Sequence, residues 1–135
     1  MKDHVFAFHH IGCLTESIEQ ALEAYKDLIP GKVSPIYHIE SQNVKVCFIE
    51  QAPGVHLELV QPDPEKNLPL MKHLRQKKHF YHLAYRSANF DQTLHDLKNK
   101  GWQVLNTFHS EAFAGLRCSF LVNPVDHLIE IIEMD

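Results

Sequence analysis

His10 and Glu58 stand 48 positions apart, and so do His82 and Glu130, with the second pair displaced from the first by 72. A chain that spaces two ligand-type residues identically in both halves reads as two copies of one supersecondary module. The same offset aligns Ser17 with Asn89, Ile18 with Phe90, Gln20 with Gln92, Leu22 with Leu94, Phe48 with Phe120, Ile49 with Leu121 and Leu57 with Ile129. Helix caps, core positions and the histidine–glutamate pairs recur together, so the repeat covers a whole module.

Local patterns define that module. Residues 5–14 read as a strand that delivers His10. Ser17-Ile18-Glu19-Gln20 has capping-box spacing, in which the serine accepts from a backbone N–H three residues on and Gln20 reaches back. Ile18, Ala21, Leu22 and Tyr25 recur at i, i+3, i+4 and i+7, an amphipathic helix ended by Pro30-Gly31. Strands are expected over 33–40, 43–50 and 55–61, the last two joined through Ala52-Pro53-Gly54. Residues 62–78 form a connector broken by Pro62, Pro64 and Pro69, with a short helical pattern in Leu70, Met71 and Leu74. The plan then repeats: a strand at 79–87, a helix from the Asn89 cap to Gly101 at a C′ position, and strands near 102–109, 115–122 and 127–134. The reading is βαβββ twice, in modules of about 5–61 and 79–135 that share one domain.

With 135 residues the chain has the size of one ordinary domain. The formal charge of -4, with no lysine- or arginine-rich block dominating any segment, argues against a nucleic-acid groove and leaves small molecules as the expected partners. Cys13, Cys47 and Cys118 are an odd set without a CxxC pair, each in an apolar run, which predicts buried thiols in a reducing compartment. The start Met1-Lys2-Asp3-His4-Val5 lacks a long apolar stretch, and no apolar run approaches about 18 residues, so a cytoplasmic protein without a membrane segment is expected.

Strand alternation puts Phe8, His10 and Gly12 on one face, and does the same for His56, Glu58 and Val60, for Phe80, His82 and Ala84, and for Leu128, Glu130 and Ile132. Each of His10, Glu58, His82 and Glu130 is then the polar member of a largely apolar strand face. A buried ionised carboxylate is costly unless it is paired or coordinates a cation, and a divalent metal satisfies both carboxylates together. Two imidazoles and two carboxylates suit a first-row divalent ion, with zinc, cobalt, nickel, manganese and iron all left open. His9 and His127 adjoin these positions and are expected on the opposite face.

The segments Phe8-His9-His10-Ile11-Gly12, Val55-His56-Leu57-Glu58-Leu59-Val60-Gln61-Pro62, Tyr81-His82-Leu83-Ala84 and Pro124-Val125-Asp126-His127-Leu128-Ile129-Glu130-Ile131 resemble the four ligand-bearing strands of the vicinal oxygen chelate superfamily. That superfamily includes glyoxalase I, methylmalonyl-CoA epimerase, extradiol dioxygenases and bleomycin-resistance proteins. The resemblance implies an α+β fold in which paired βαβββ modules form an open, eight-stranded, cupped mixed sheet around a metal, often within a homodimer. The run Gln42-Asn43-Val44-Lys45-Val46-Cys47-Phe48-Ile49 and the connector Asn67-Leu68-Pro69-Leu70-Met71-Lys72-His73-Leu74 are most similar to methylmalonyl-CoA epimerase. By this resemblance the activity is that of an isomerase or lyase that moves a proton next to a metal-bound carbonyl. Glu130 is the first candidate base and Glu58 the second, and the substrate is a CoA thioester or another anion. Lactoylglutathione lyase, a non-catalytic antibiotic-binding protein and a ring-cleaving dioxygenase are the competing readings. Four retained ligands speak against the binding protein, and a fourth protein ligand is surplus for the dioxygenase.

One position departs from the epimerase pattern. The epimerase typically carries a glutamate just before the glutamine that opens the third strand, and here Ser41 stands there, with Glu40 one residue earlier. In a strand that displacement turns Glu40 to the other face, so the second base of a two-base epimerase is missing. Elsewhere, Lys72, His73, Arg75, Lys77, Lys78 and His79 form a basic stretch suited to a solvated helix face, and also to a phosphate. Lys45 and Arg117 begin equivalent strands as candidate anion contacts. Trp102, Phe108 and Phe113 are expected in the core or a cavity wall.

Overall fold

The computed structural model describes residues 6–29 and 31–134. Val5, Pro30 and the N-terminal run therefore lie outside the described residues. The elements follow the order β1 (Phe6–Leu14), α1 (Ile18–Tyr25), β2 (Tyr37–Ile39), β3 (Val44–Ala52), β4 (Val55–Pro62), α2 (Pro69–Arg75), β5 (Phe80–Ser87), α3 (Phe90–Asn99), β6 (Gln103–His109), β7 (Arg117–Val122) and β8 (Leu128–Glu133). This is βαβββ twice with a helical connector, an α+β fold.

Two compact units divide the chain: residues 10–81, and those up to His9 together with those from His82 onward. In the first the strand order is β2-β3-β4-β1. In the second it is β5-β8-β7-β6, and each unit's strands mix parallel and antiparallel pairs. The parallel pairs are equivalent, β1 with β4 and β5 with β8, and the remaining pairs of known register are antiparallel. A parallel pair needs a crossover, and each module supplies one through its helix and two strands.

Each unit has its own core on the helix side of its strands. Ile18 of α1 is fully buried against Cys13, Cys47, Ile49, Leu57 and Leu59, with Ala21, Leu22 and Tyr25 packed around them. Phe90 and Leu97 of α3 pack on Leu121, Ile129 and Ile131, with Leu94, Tyr85, Trp102 and Val104 at the edge. Ile49 and Leu121, equivalent in the repeat, are both 0% exposed. Truncating either to alanine is expected to cost about 2–5 kcal/mol, a transfer term plus a cavity term, read as a lower denaturant midpoint.

Several local expectations are corrected. Ser17 does cap α1, its hydroxyl accepting from the Gln20 N–H at 3.2 Å, but the Ser17 N–H donates to Thr15 Oγ1 rather than to Gln20, so the box is not reciprocal. α1 ends at Tyr25 and continues as a 3-10 turn over Lys26–Leu28, ahead of Gly31. Asn89 makes no side-chain cap. Buried Ser87 instead accepts from the Asn89 N–H at 3.3 Å and bonds Thr93 Oγ1 at 2.8 Å, fixing the start of α3 from beneath. Gly101 has φ +92, as a C′ glycine requires.

The strand expected over 33–40 is only Tyr37–Ile39, preceded by an isolated bridge from Val33 to Ile49. Glu40–Gln42 forms a 3-10 turn closed by Asn43 at φ 54, whose N–H donates to the Glu40 carbonyl at 3.2 Å. Alternation along a strand therefore does not govern Glu40 and Ser41.

Candidate metal centre

Register places the ligand-type residues within each unit. Gly12 in β1 and Phe48 in β3 are the cross-strand partners of Glu58, and His10 lies two residues before Gly12. Ala84 in β5 and Phe120 in β7 are the partners of Glu130, and His82 lies two residues before Ala84. Paired residues share a face and alternate residues return to it, so each histidine and its glutamate project on one side. A small residue, Gly12 or Ala84, stands opposite each glutamate and leaves room for its side chain to lean toward the histidine.

In the first unit His10 Nε2 lies 3.4 Å from Glu58 Oε1, and in the second His82 Nε2 lies 3.4 Å from Glu130 Oε1. All four residues are buried. The separation exceeds a good N–H···O hydrogen bond. It is the distance two donors take on one cation, since bonds of about 2.1 Å opening at about 90–110° put them about 3.0–3.4 Å apart. Phe48 meets the His10 ring edge-on at 5.4 Å, and Phe120 meets His82 at 5.2 Å. Each pair thus sits in an apolar wall that supports its imidazole and keeps water away. Imidazole nitrogen and carboxylate oxygen, buried and at this spacing, fit a borderline divalent ion.

Other candidates fall outside these pairs. Arg117 is engaged by carboxylates: Nη1 and Nη2 donate to Asp91 at 2.8 and 3.0 Å, Nη2 and Nε donate to Glu133, and the guanidinium lies 4.7 Å from the Phe90 ring centroid. Hydrogen bonding from Arg117 holds both carboxyls below the usual carboxylate range. Their contribution is therefore present at neutral pH and is lost as acid titrates the folded state. Arg117 ties α3 to β8 and is not an anion contact. The basic residues of the connector, Lys72 through His79 in the stretch above, are all exposed. Burial pushes the Cys13 and Cys47 thiols up, and Cys118 is also buried, so none has the character of a nucleophile.

Glu40 is exposed and lines a pocket of about 580 Å³ with His38, Lys45 and Asp63. That lining includes neither Ser41 nor Glu58.

Phe8 and His9 of β1 each meet an aromatic ring. Phe8 packs edge-on against Tyr85 on the helix side of β5, at 5.4 Å. His9 packs against Phe113 at 5.2 Å, and Arg86 lies over the same Phe113 ring. Phe113 is buried and Trp102 edges the core, as expected, and Phe108 stacks on Phe120 at 5.8 Å. Arg86 was not singled out by spacing, although it stands four residues after His82 and so returns to the same face.

With this geometry in hand, the sequence profile described as the Glyoxalase/Bleomycin resistance protein/Dioxygenase superfamily matches residues 9–120. The chain belongs to that superfamily. Solved structures are similar to it over nearly its whole length. A hypothetical protein, BH1468, from Bacillus halodurans is 24% identical, with a TM-score of 0.82 over 96% of this chain and 95% of that one. Methylmalonyl-CoA epimerase from Mycobacterium tuberculosis is 20% identical, with a TM-score of 0.79 over 95% and 87%. A variant of methylmalonyl-CoA epimerase from Streptomyces coelicolor, in complex with 2-nitronate-propionyl-CoA, is 24% identical, with a TM-score of 0.77 over 93% and 95%. At such identities the likeness is one of fold. A search of the curated proteins gave no match. Among the described residues of this glyoxalase-superfamily chain, no helix is long and apolar enough to cross a membrane.

Proposed function

We propose that the protein is a metal-dependent isomerase or lyase that moves a proton on the carbon next to a substrate carbonyl, in the manner of methylmalonyl-CoA epimerase. His10, Glu58, His82 and Glu130 are the ligands of one divalent cation in this reading. The observation that carries it is the duplicated buried histidine–glutamate pair, 3.4 Å between donors in both halves. The two carboxylates would neutralise the ion's charge, which the apolar surroundings demand. A divalent cation supplies stabilisation for the oxyanion that develops as the neighbouring proton leaves.

Glu130 takes that proton, with Glu58 as the second candidate. Phe120 and the buried strand face exclude water that would compete for the carboxylate. A CoA thioester is the favoured substrate class, supported by fold relatives that bind such compounds. A cytoplasmic homodimer completes the proposal.

Metal titration of the apo protein tests it. One tightly bound ion per chain is expected from inductively coupled plasma analysis after dialysis. His82→Ala should weaken binding by more than the roughly 10–100-fold lost when an outer-shell partner of a ligand is removed. Two ions per chain would assign a separate site to each pair, and no bound ion, or unchanged affinity in the variant, would overturn the metal reading.

A further inference from the structure

Arg86 is the one arginine on the strand face that carries His82. Its cross-strand partner is Ile132, two residues beyond the Ala84–Glu130 pair, so Arg86, His82, Glu130 and Ile132 all project to the same side. At roughly 3.3 Å per residue, its Cα lies about 13 Å along β5 from that of His82.

The guanidinium is held without being neutralised. Its carbon sits 5.6 Å from the centroid of buried Phe113, a cation–π arrangement. Phe113 is fixed by a hydrogen-bonded turn: the Ser110 hydroxyl accepts from the Ala112 N–H at 3.2 Å, the Gly115 N–H donates to the Ser110 carbonyl at 2.8 Å, and Ala114 and Gly115 take positive φ. Among the described residues no carboxylate forms a salt bridge with Arg86, and its buried Nε has no hydrogen-bond partner. A half-buried cation that no carboxylate neutralises is costly in a finished core and serves a purpose where an anion arrives to complete it. Nε is enclosed, so the two Nη atoms at the open end of the guanidinium are the donors that can pair with a carboxylate, and the aromatic support pre-orders their plane.

We propose that Arg86, seated on Phe113, is a specificity-determining residue that receives a substrate carboxylate not bound to the metal. This rests on the functional reading above, because it takes the substrate's carbonyl end to lie at His82 and Glu130. The substrate class narrows to acids or thioesters that carry a carboxylate a few bonds from the carbonyl that is activated.

Two probes share one chelating head and differ only at the far end: 2-oxoglutarate has a distal carboxylate and 2-oxopentanoate does not. Calorimetric titration of the cobalt-loaded protein is expected to give tighter binding of 2-oxoglutarate by about tenfold to a hundredfold, the range for a charge-assisted bidentate contact. Arg86→Met should remove the preference while leaving 2-oxopentanoate affinity and metal content unchanged, and Arg86→Lys should keep part of it. Phe113→Leu, which removes the ring but keeps the guanidinium, should reduce the preference without abolishing it. A merely structural Arg86 would change thermal stability and leave the ratio alone. Equal affinities in the wild type, failure of 2-oxoglutarate to bind, or an unchanged ratio in folded Arg86→Met and Arg86→Lys overturns the assignment. Arg86-dependent binding of 2-oxoglutarate, with no metal-dependent binding of 2-oxopentanoate, would instead uphold Arg86 and overturn the metal reading.

Discussion

Glu130→Gln is expected to slow exchange of the methylmalonyl-CoA α-proton with solvent by about 10²–10⁴-fold, the range for removing a positioned general base. Glutamine fills the volume of glutamate, so no cavity opens beside Ala84 and Phe120, which flank Glu130 in the sheet register. The unfolding midpoint of the apo variant should stay near that of the wild type. Deuterium incorporation followed by proton NMR in D2O, with metal content measured on the same sample, separates loss of the base from loss of the ion. Full exchange by a metal-loaded Glu130→Gln protein would remove Glu130 from the proton-transfer role and favour a binding protein or a different base.

Inversion of configuration is expected to lag far behind that exchange. Epimerisation by two bases needs an acid–base group on each face of a planar intermediate, and serine is a poor base at neutral pH. The 3-10 turn at Glu40–Gln42 aims Glu40 into the pocket with His38 and Asp63, whose lining does not include Glu58, so the glutamate one residue early does not stand in for the absent one. Chiral analysis of methylmalonyl-CoA after partial exchange should therefore show deuterium gained with little inversion, and Glu40→Gln should leave both rates within about twofold of the wild type. Rapid inversion that depends on Glu40 would show that the turn brings this carboxylate to the substrate and would restore a two-base epimerase.

What could be read from the sequence were features set by short-range periodicity. Helix faces such as Ile18, Ala21, Leu22 and Tyr25 follow the 3.6-residue repeat, and both cores form on them. The 48-residue spacing placed each histidine and glutamate on neighbouring strands because strand length and crossover length are duplicated with it. Two-residue alternation then put each pair on one face without any knowledge of tertiary contacts.

Where alternation breaks, the sequence misled. Glu40 and Ser41 sit in a turn closed by Asn43 with positive φ, and that conformation is secured by the pairing of Asn43 with Asp63, twenty residues away. His9 meets the ring of Phe113, which a loop over a hundred residues later supplies. Arg117, read as an anion contact, is consumed by Asp91 and Glu133 from two other elements. Arg86 shows the converse: its face was implied by its distance from His82, but only the tertiary structure shows that Phe113 supports the guanidinium while no carboxylate among the described residues neutralises it. Periodicity is a local property that the chain carries with it. The partner that satisfies or leaves unsatisfied a given charge comes from elsewhere in the chain, and only packing decides it.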